Sequence, residues 1–158
     1  MDNNICITGL GIICSIGNDA ASVLDSLREG RPGIGSIKYL ETRHSHLPVG
    51  EVQLSDDQMK EILGIEGSEP MSRTSLMGAI AVRQALEQAG ITDISGKRVA
   101  LISGTTVGGM DLTEKYFERM KTDDSLLYLP QSNECGKSTL EIAEMAGLKD
   151  VETCTIST

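Results

Sequence analysis

Tryptophan is absent from these 158 residues, and one phenylalanine and three tyrosines are the only other large aromatics. The core therefore cannot be organised around bulky rings. It has to be built from small aliphatic side chains and the seven methionines, packed closely with the help of seventeen glycines. Basic residues are scarce as well: fourteen Lys and Arg stand against twenty-three Asp and Glu, giving a net charge of −9 and a pI near 4.7. That balance argues against nonspecific nucleic-acid binding and against attraction to an anionic membrane, since both need clustered cations. No apolar run approaches the roughly 20 residues of a membrane-spanning helix. Asp2 stands where a secretory signal would carry positive charge, so a cytoplasmic protein is expected.

Metal-binding and redox patterns are missing too. Cys6, Cys14, Cys135 and Cys154 form no CxxC pair and show no zinc-like spacing, and most of them are expected to be buried, reduced thiols. His44 and His46 make an HxH pair without a third ligand at a useful spacing, which fits a solvated loop. No metal and no cofactor are expected.

What is present is one domain, or part of one, in which strands and helices alternate. Asn4 to Thr8 is apolar and β-branched and reads as a strand, followed by Gly9 and Gly11, which permit a close backbone approach that a side chain would block. A helix is expected over Asp19 to Glu29, with Asn18 as N-cap, Val23, Leu24 and Leu27 on its apolar face and Gly30 as stop. The stretch up to Glu51 reads as loop with short extended pieces. Ser55 and Gln58 form a capping box for a helix ending near Gly64. Ser72 to Ala89 carries apolar residues on more than one face and so reads as a buried helix. Arg98 to Ser103 is a compact strand, Gly104 to Gly109 a glycine-rich loop, and Thr113 to Lys121 and Thr139 to Ala146 are helices. Val151 to Thr158 is β-branched and extended.

Two motifs suggest phosphate binding and fall short. Gly9-x-Gly11 places Cys14 where a dinucleotide fingerprint needs its third glycine. Gly136-Lys137-Ser138-Thr139 matches the end of a P-loop at a helix start, but Gln131 occupies the position of the first required glycine. A nucleotide-binding protein remains one alternative; Ser138 as a helix cap is the other reading of the tetrad.

Several blocks, in order and spacing, resemble the β-ketoacyl-acyl-carrier-protein synthases. They are Ile7-Thr8-Gly9-Leu10-Gly11-Ile12 with Ser15-Ile16-Gly17-Asn18, Leu27 to Ile34, Ala85 to Ile91, Val99 to Gly109, and Thr155-Ile156-Ser157-Thr158. The resemblance implies the N-terminal half of a thiolase-like α/β fold, a layered sheet with helices, whose first strand lies beside Val99–Ser103 and Val151–Ser157. It implies decarboxylative condensation of an acyl thioester with malonyl-acyl-carrier protein in fatty acid or polyketide synthesis, in a homodimer or heterodimer of ketosynthase subunits. The nucleophilic cysteine is expected about two residues after Thr158, so that no catalytic residue is assigned within the chain and the 158 residues alone should not condense malonyl-carrier protein. Cys154, inside a strand and without a neighbouring histidine, reads as structural.

Thr106 and Val107 match positions that border the end of the acyl cavity in the family, where bulk limits chain length. Val107 as plain core beneath the glycine turn is the competing reading. Leu129 to Ser138 matches a segment that lines the partner subunit's cavity. One departure concerns the carrier: Gly64 to Ser72 holds Glu66 and Glu69 without a cation, and Lys121 is followed by Asp123 and Asp124, which puts docking of an acidic carrier on this half in doubt. A noncatalytic chain-length-factor-like subunit is the alternative within the family. It would carry Gln where the enzyme carries Cys.

Overall fold

The computed structural model describes residues 4–157, so Thr158, the last residue of the expected final strand, lies outside it. Helix α1 spans Ala20–Glu29. Its N-cap is Asp19 rather than Asn18: the Asp19 carboxylate accepts from Ser22 N at 2.7 Å, while the Asn18 carbonyl is taken by the Gln84 side-chain amide at 2.6 Å. Val23 faces inward as expected, but Leu24 and Leu27 are exposed. The helix is instead secured by Ser26, whose hydroxyl donates to the Ile16 carbonyl at 2.6 Å.

Strands β1 (Ile34–Gly35) and β2 (Val49–Gly50) form a two-residue antiparallel pair within the long loop. The intervening chain is gathered by Glu51, whose carboxylate accepts from the backbone amides of Lys38, Tyr39 and Leu40. Helix α2 (Asp56–Leu63) starts at the Ser55–Gln58 capping box and stops at left-handed Gly64. Helix α3 (Arg73–Gln88) follows, with Ser72 as its cap. Of its sixteen residues only Arg83, Glu87 and Gln88 are exposed, as the many-sided apolar pattern required. Met59 and Leu63 of α2 meet Leu76, Ala79 and Ile80 of α3 in a core without aromatics, fringed by Ile13, Met71, Met77 and Met145.

Strands β3 (Ala100–Thr105) and β4 (Glu152–Ser157) run parallel with Ser103 opposite Thr155. Between them come helix α4 (Met110–Met120), 3-10 turns at Asp124–Leu126 and Leu129–Asn133, and helix α5 (Cys135–Met145). Both helices begin three or four residues earlier than their sequence periodicity suggests. Helix α5 is pinned to the strand pair by Thr139, fully buried, whose hydroxyl lies 2.7 Å from Ser103 Oγ and 2.6 Å from Thr155 Oγ1.

The opening segment departs from expectation. Residues 4–13 belong to no strand or helix, and among the described residues β3 and β4 pair only with each other. Ile5 and Ile7 are 98% and 84% exposed, so nothing covers the faces a buried strand would present. The segment is held against α3 instead. Leu10 N and Ile12 N donate to the side-chain oxygens of Gln88 and Gln84, at 2.6 and 3.0 Å. A Cβ on Gly9 would strike the Ala85 carbonyl, and one on Gly11 the Ala81 carbonyl. Two residues of extended chain advance about 6.6 Å and four residues of helix about 6 Å, so Gly-x-Gly matches the 81/85 and 84/88 steps of α3.

Candidate functional site

In open α/β structures ligands collect at the carboxyl ends of parallel strands. Here Thr105 and Ser157 end β3 and β4 at the same level, since they are register partners. A shallow groove lined by Leu86, Ile91, Val99, Leu148 and Val151 lies at the opposite, amino ends. The carboxyl end is occupied by the turn Thr106–Gly109, which delivers the chain into α4. Thr105 Oγ1 accepts from Gly108 N at 3.1 Å, and Gly108 takes φ +58°, the left-handed region that glycine enters without a steric penalty.

The base of this turn is wedged. Gly109 N donates to the Ser132 carbonyl at 2.8 Å, and Ser132 Oγ donates back to the Gly109 carbonyl at 2.9 Å. A Cβ on Gly109 would lie 2.9 Å from Ser72 Cβ and 3.0 Å from Ser132 Cβ, closer than carbon atoms pack. Gly108 and Gly109 are buried, whereas Thr106 is exposed and Val107 is 53% exposed, with Met110 exposed beyond it. Val107 is therefore not core beneath a glycine turn; the glycines are the buried part, and they lift the valine outward.

Under the turn lies a charged network that the sequence did not announce. Asp111, in the first turn of α4, accepts from Arg73 N, the first amide of α3, at 2.8 Å. Its other oxygen is buried without a partner. Burial raises the Asp111 pKa and the neighbouring Asp56 charge adds to the rise, against the lowering effect of the Arg73 amide. The Arg73 guanidinium is fixed by Asp56 Oδ1 and by the carbonyls of Val52 and Leu54, each at 2.8 Å, and lies 5.4 Å from the centre of the Tyr39 ring. Sequence offered only weak signals for these residues. An aspartate in a first helical turn normally serves its own helix dipole, and here it serves that of α3.

Other expected features are placed as follows. Gly136 to Thr139 lie within the first five residues of α5, preceded by a 3-10 turn and not by a strand, so the setting of a P-loop is absent. Ser138 does not cap the helix: it is buried and donates to the Cys135 carbonyl at 2.8 Å. All four cysteines are free, but Cys6 and Cys154 are exposed and Cys14 and Cys135 half-buried, which corrects the expectation of buried thiols. Cys6 and Cys154 lie on segments whose outer faces are uncovered. His44 and His46 sit edge to face, 6.1 Å apart, in an exposed turn. Within 129–138, Leu129, Ser132 and Ser138 are buried while Gln131 and Asn133 face outward. Tyr128 OH donates to Glu69 at 3.2 Å. No helix among the described residues is long and apolar enough to cross a membrane.

Residues 2–141 match the model of a family described as beta-ketoacyl synthase, N-terminal domain. Nodulation protein E of Rhizobium meliloti (strain 1021) is 33% identical over 129 residues, 78% of this chain and 31% of that protein. The 3-oxoacyl-acyl-carrier-protein synthase 1 of Escherichia coli (strain K12) is 36% identical over 106 residues, 65% of this chain and 25% of that enzyme. The chain thus spans about a quarter to a third of the length of the curated relatives it matches. Among solved structures, the ishigamide ketosynthase/chain length factor superposes with a TM-score of 0.75 at 27% identity, covering 96% of this chain and 39% of that one.

Proposed function

Because the chain belongs to the β-ketoacyl synthase family, through its N-terminal domain, we propose that it forms the N-terminal part of a thiolase-like ketosynthase domain acting in fatty acid or polyketide synthesis. In that reaction a cysteine thiolate takes the acyl group from a carrier thioester and releases the carrier thiol. The malonyl C–C bond then breaks, CO₂ leaves, and the freed electron pair attacks the acyl carbonyl, expelling the enzyme thiolate. We place the nucleophile beyond Thr158. Cys154 does not suit that role, because it sits in mid-ladder opposite Ile102, on the exposed face of the strand while its neighbour Thr155 bonds α5.

The contribution of this chain is shape. The single observation that carries this reading is the outward placement of Val107, with Thr106, on buried glycines at the carboxyl end of the parallel pair. Side chains so placed form the end wall of an acyl cavity, and their bulk sets the length accepted. The working unit is a homodimer or heterodimer of ketosynthase subunits served by an acyl carrier protein.

The test is the product profile of the complete polypeptide assayed with its partner subunit and carrier. Val107→Ala is expected to lengthen the products and Val107→Phe to shorten them. Identical profiles for both variants would refute the wall. A second reading, a noncatalytic subunit that shapes the cavity for a catalytic partner, is favoured by the likeness to the ishigamide ketosynthase/chain length factor. The two readings part at the position two residues after Thr158, where Cys marks the enzyme and Gln the noncatalytic subunit.

A further inference from the structure

The segment that wedges the base of the glycine turn also clasps it by hydrogen bonds. The 3-10 segment Leu129–Asn133 lies alongside it and makes three hydrogen bonds to the turn and to the first turns of α4. Two are the reciprocal pair between Gly109 and Ser132, at 2.8 and 2.9 Å. The third runs from Thr113 Oγ1 to Asn133 Oδ1 at 2.8 Å. Ser132 Oγ also lies 2.6 Å from the Leu129 carbonyl, so its single proton is shared between two carbonyls that together fix the rotamer. Leu129 is buried with Leu112 of α4 and Leu126, which anchors the segment itself.

The geometry points to a role for this segment beyond packing: we propose that Ser132 and Asn133 are positioning residues for chain-length selection. They act through Gly109 and α4 to hold Val107 as a rigid stop. A wall that selects length must resist a push from one further acetate unit. Val107 is too exposed for its own contacts to supply that resistance, so stiffness has to come from the roots of the turn. Gly109 is packed against Ser72 and Ser132, and of these two Ser132 also bonds its backbone, through a carbonyl and a buried hydroxyl. The proposal rests on the reading of Val107 as the end wall.

Ser132→Ala and Asn133→Ala, made in the complete polypeptide with its partner and carrier, are expected to broaden the product distribution toward longer chains. The share of over-length product should rise about five-fold for Ser132→Ala, the factor that one neutral hydrogen bond carries, and less for exposed Asn133. The rate with short acyl primers should stay at the parental level, whereas general destabilisation would lower it for every primer. Should Val107→Ala shift the profile while both clasp variants leave it unchanged, the positioning role is overturned and the wall survives. Unchanged profiles for Val107→Ala and Val107→Phe would remove the wall and the clasp together. If Ser132→Ala does not fold, exposed Asn133→Ala decides: longer products support the clasp, and an unchanged profile overturns it.

Discussion

Two carboxylates in this chain carry opposite pH signatures. Glu51 is raised by partial burial, but the amides of Lys38, Tyr39 and Leu40 and the charge of Arg73 outweigh that and leave its pKa lowered. Its stabilisation is present above the ordinary carboxylate range and is lost as pH falls through its folded value. Asp111 is the reverse. Its folded pKa lies above the ordinary 3.8, so the folded state binds the proton first, and its contribution to stability improves as pH drops through that raised value. Asp111→Asn keeps an oxygen for the Arg73 amide and removes the buried charge. Thermal melts should show the variant more stable than the parent near neutral pH, with the advantage vanishing as pH approaches about 4. Destabilisation of the variant near neutral pH that fades as pH approaches about 4 would mean that attraction of the charge to the α3 N-terminus outweighs its desolvation.

At the scale of elements, the match between the opening segment and α3 turns on space that only glycine leaves. Gly11→Ala drives a methyl into the Ala81 carbonyl, and backbone on both sides cannot yield. We expect a loss of roughly 2–3 kcal/mol or more in urea denaturation. Gly35→Ala, with nothing within 4 Å of its Cβ, should stay within about 0.5 kcal/mol of the parent. A Gly11→Ala protein as stable as the Gly35→Ala one would show that the segment does not lie on α3. Gly9 and Gly11 were legible in the sequence as sites of close approach, and so were the Ser55 capping box, the many-sided α3 and the stops at Gly30 and Gly64. Local chemistry decides such features. What could not be read was the choice of distant partner. Asp111 bonds Arg73 thirty-eight positions away, Ser132 bonds Gly109 twenty-three away, and Thr139 sits between Ser103 and Thr155. The strand expected at Asn4–Thr8 failed for the same reason, because a strand is defined by the neighbour it pairs with and β-branched composition cannot supply one.

For the whole molecule, the polar and apolar faces of the β3–β4 pair are reversed relative to an ordinary surface sheet. Ser103, Thr105 and Thr155 face α5 or stay half-buried, while Ile102, Cys154 and Ile156 are exposed, with Ile102 65% and Ile156 58% accessible. Ile5 and Ile7 add to the uncovered apolar surface. Soluble proteins keep such patches for contact surfaces. The matched relatives are about two and a half times as long as this chain, room enough in them for further protein to cover such faces. Cysteine labelling gives a direct readout, because Cys154 lies in the uncovered face and Cys135 at the half-buried start of α5. In the isolated 158-residue chain an uncharged maleimide should modify Cys6 and Cys154 ahead of Cys14 and Cys135. In the complete polypeptide the order should invert for Cys154, which becomes protected once its face is packed. If Cys154 reacts equally fast in both forms, the β3–β4 face is a true exterior and the layered-sheet placement of this strand pair is wrong.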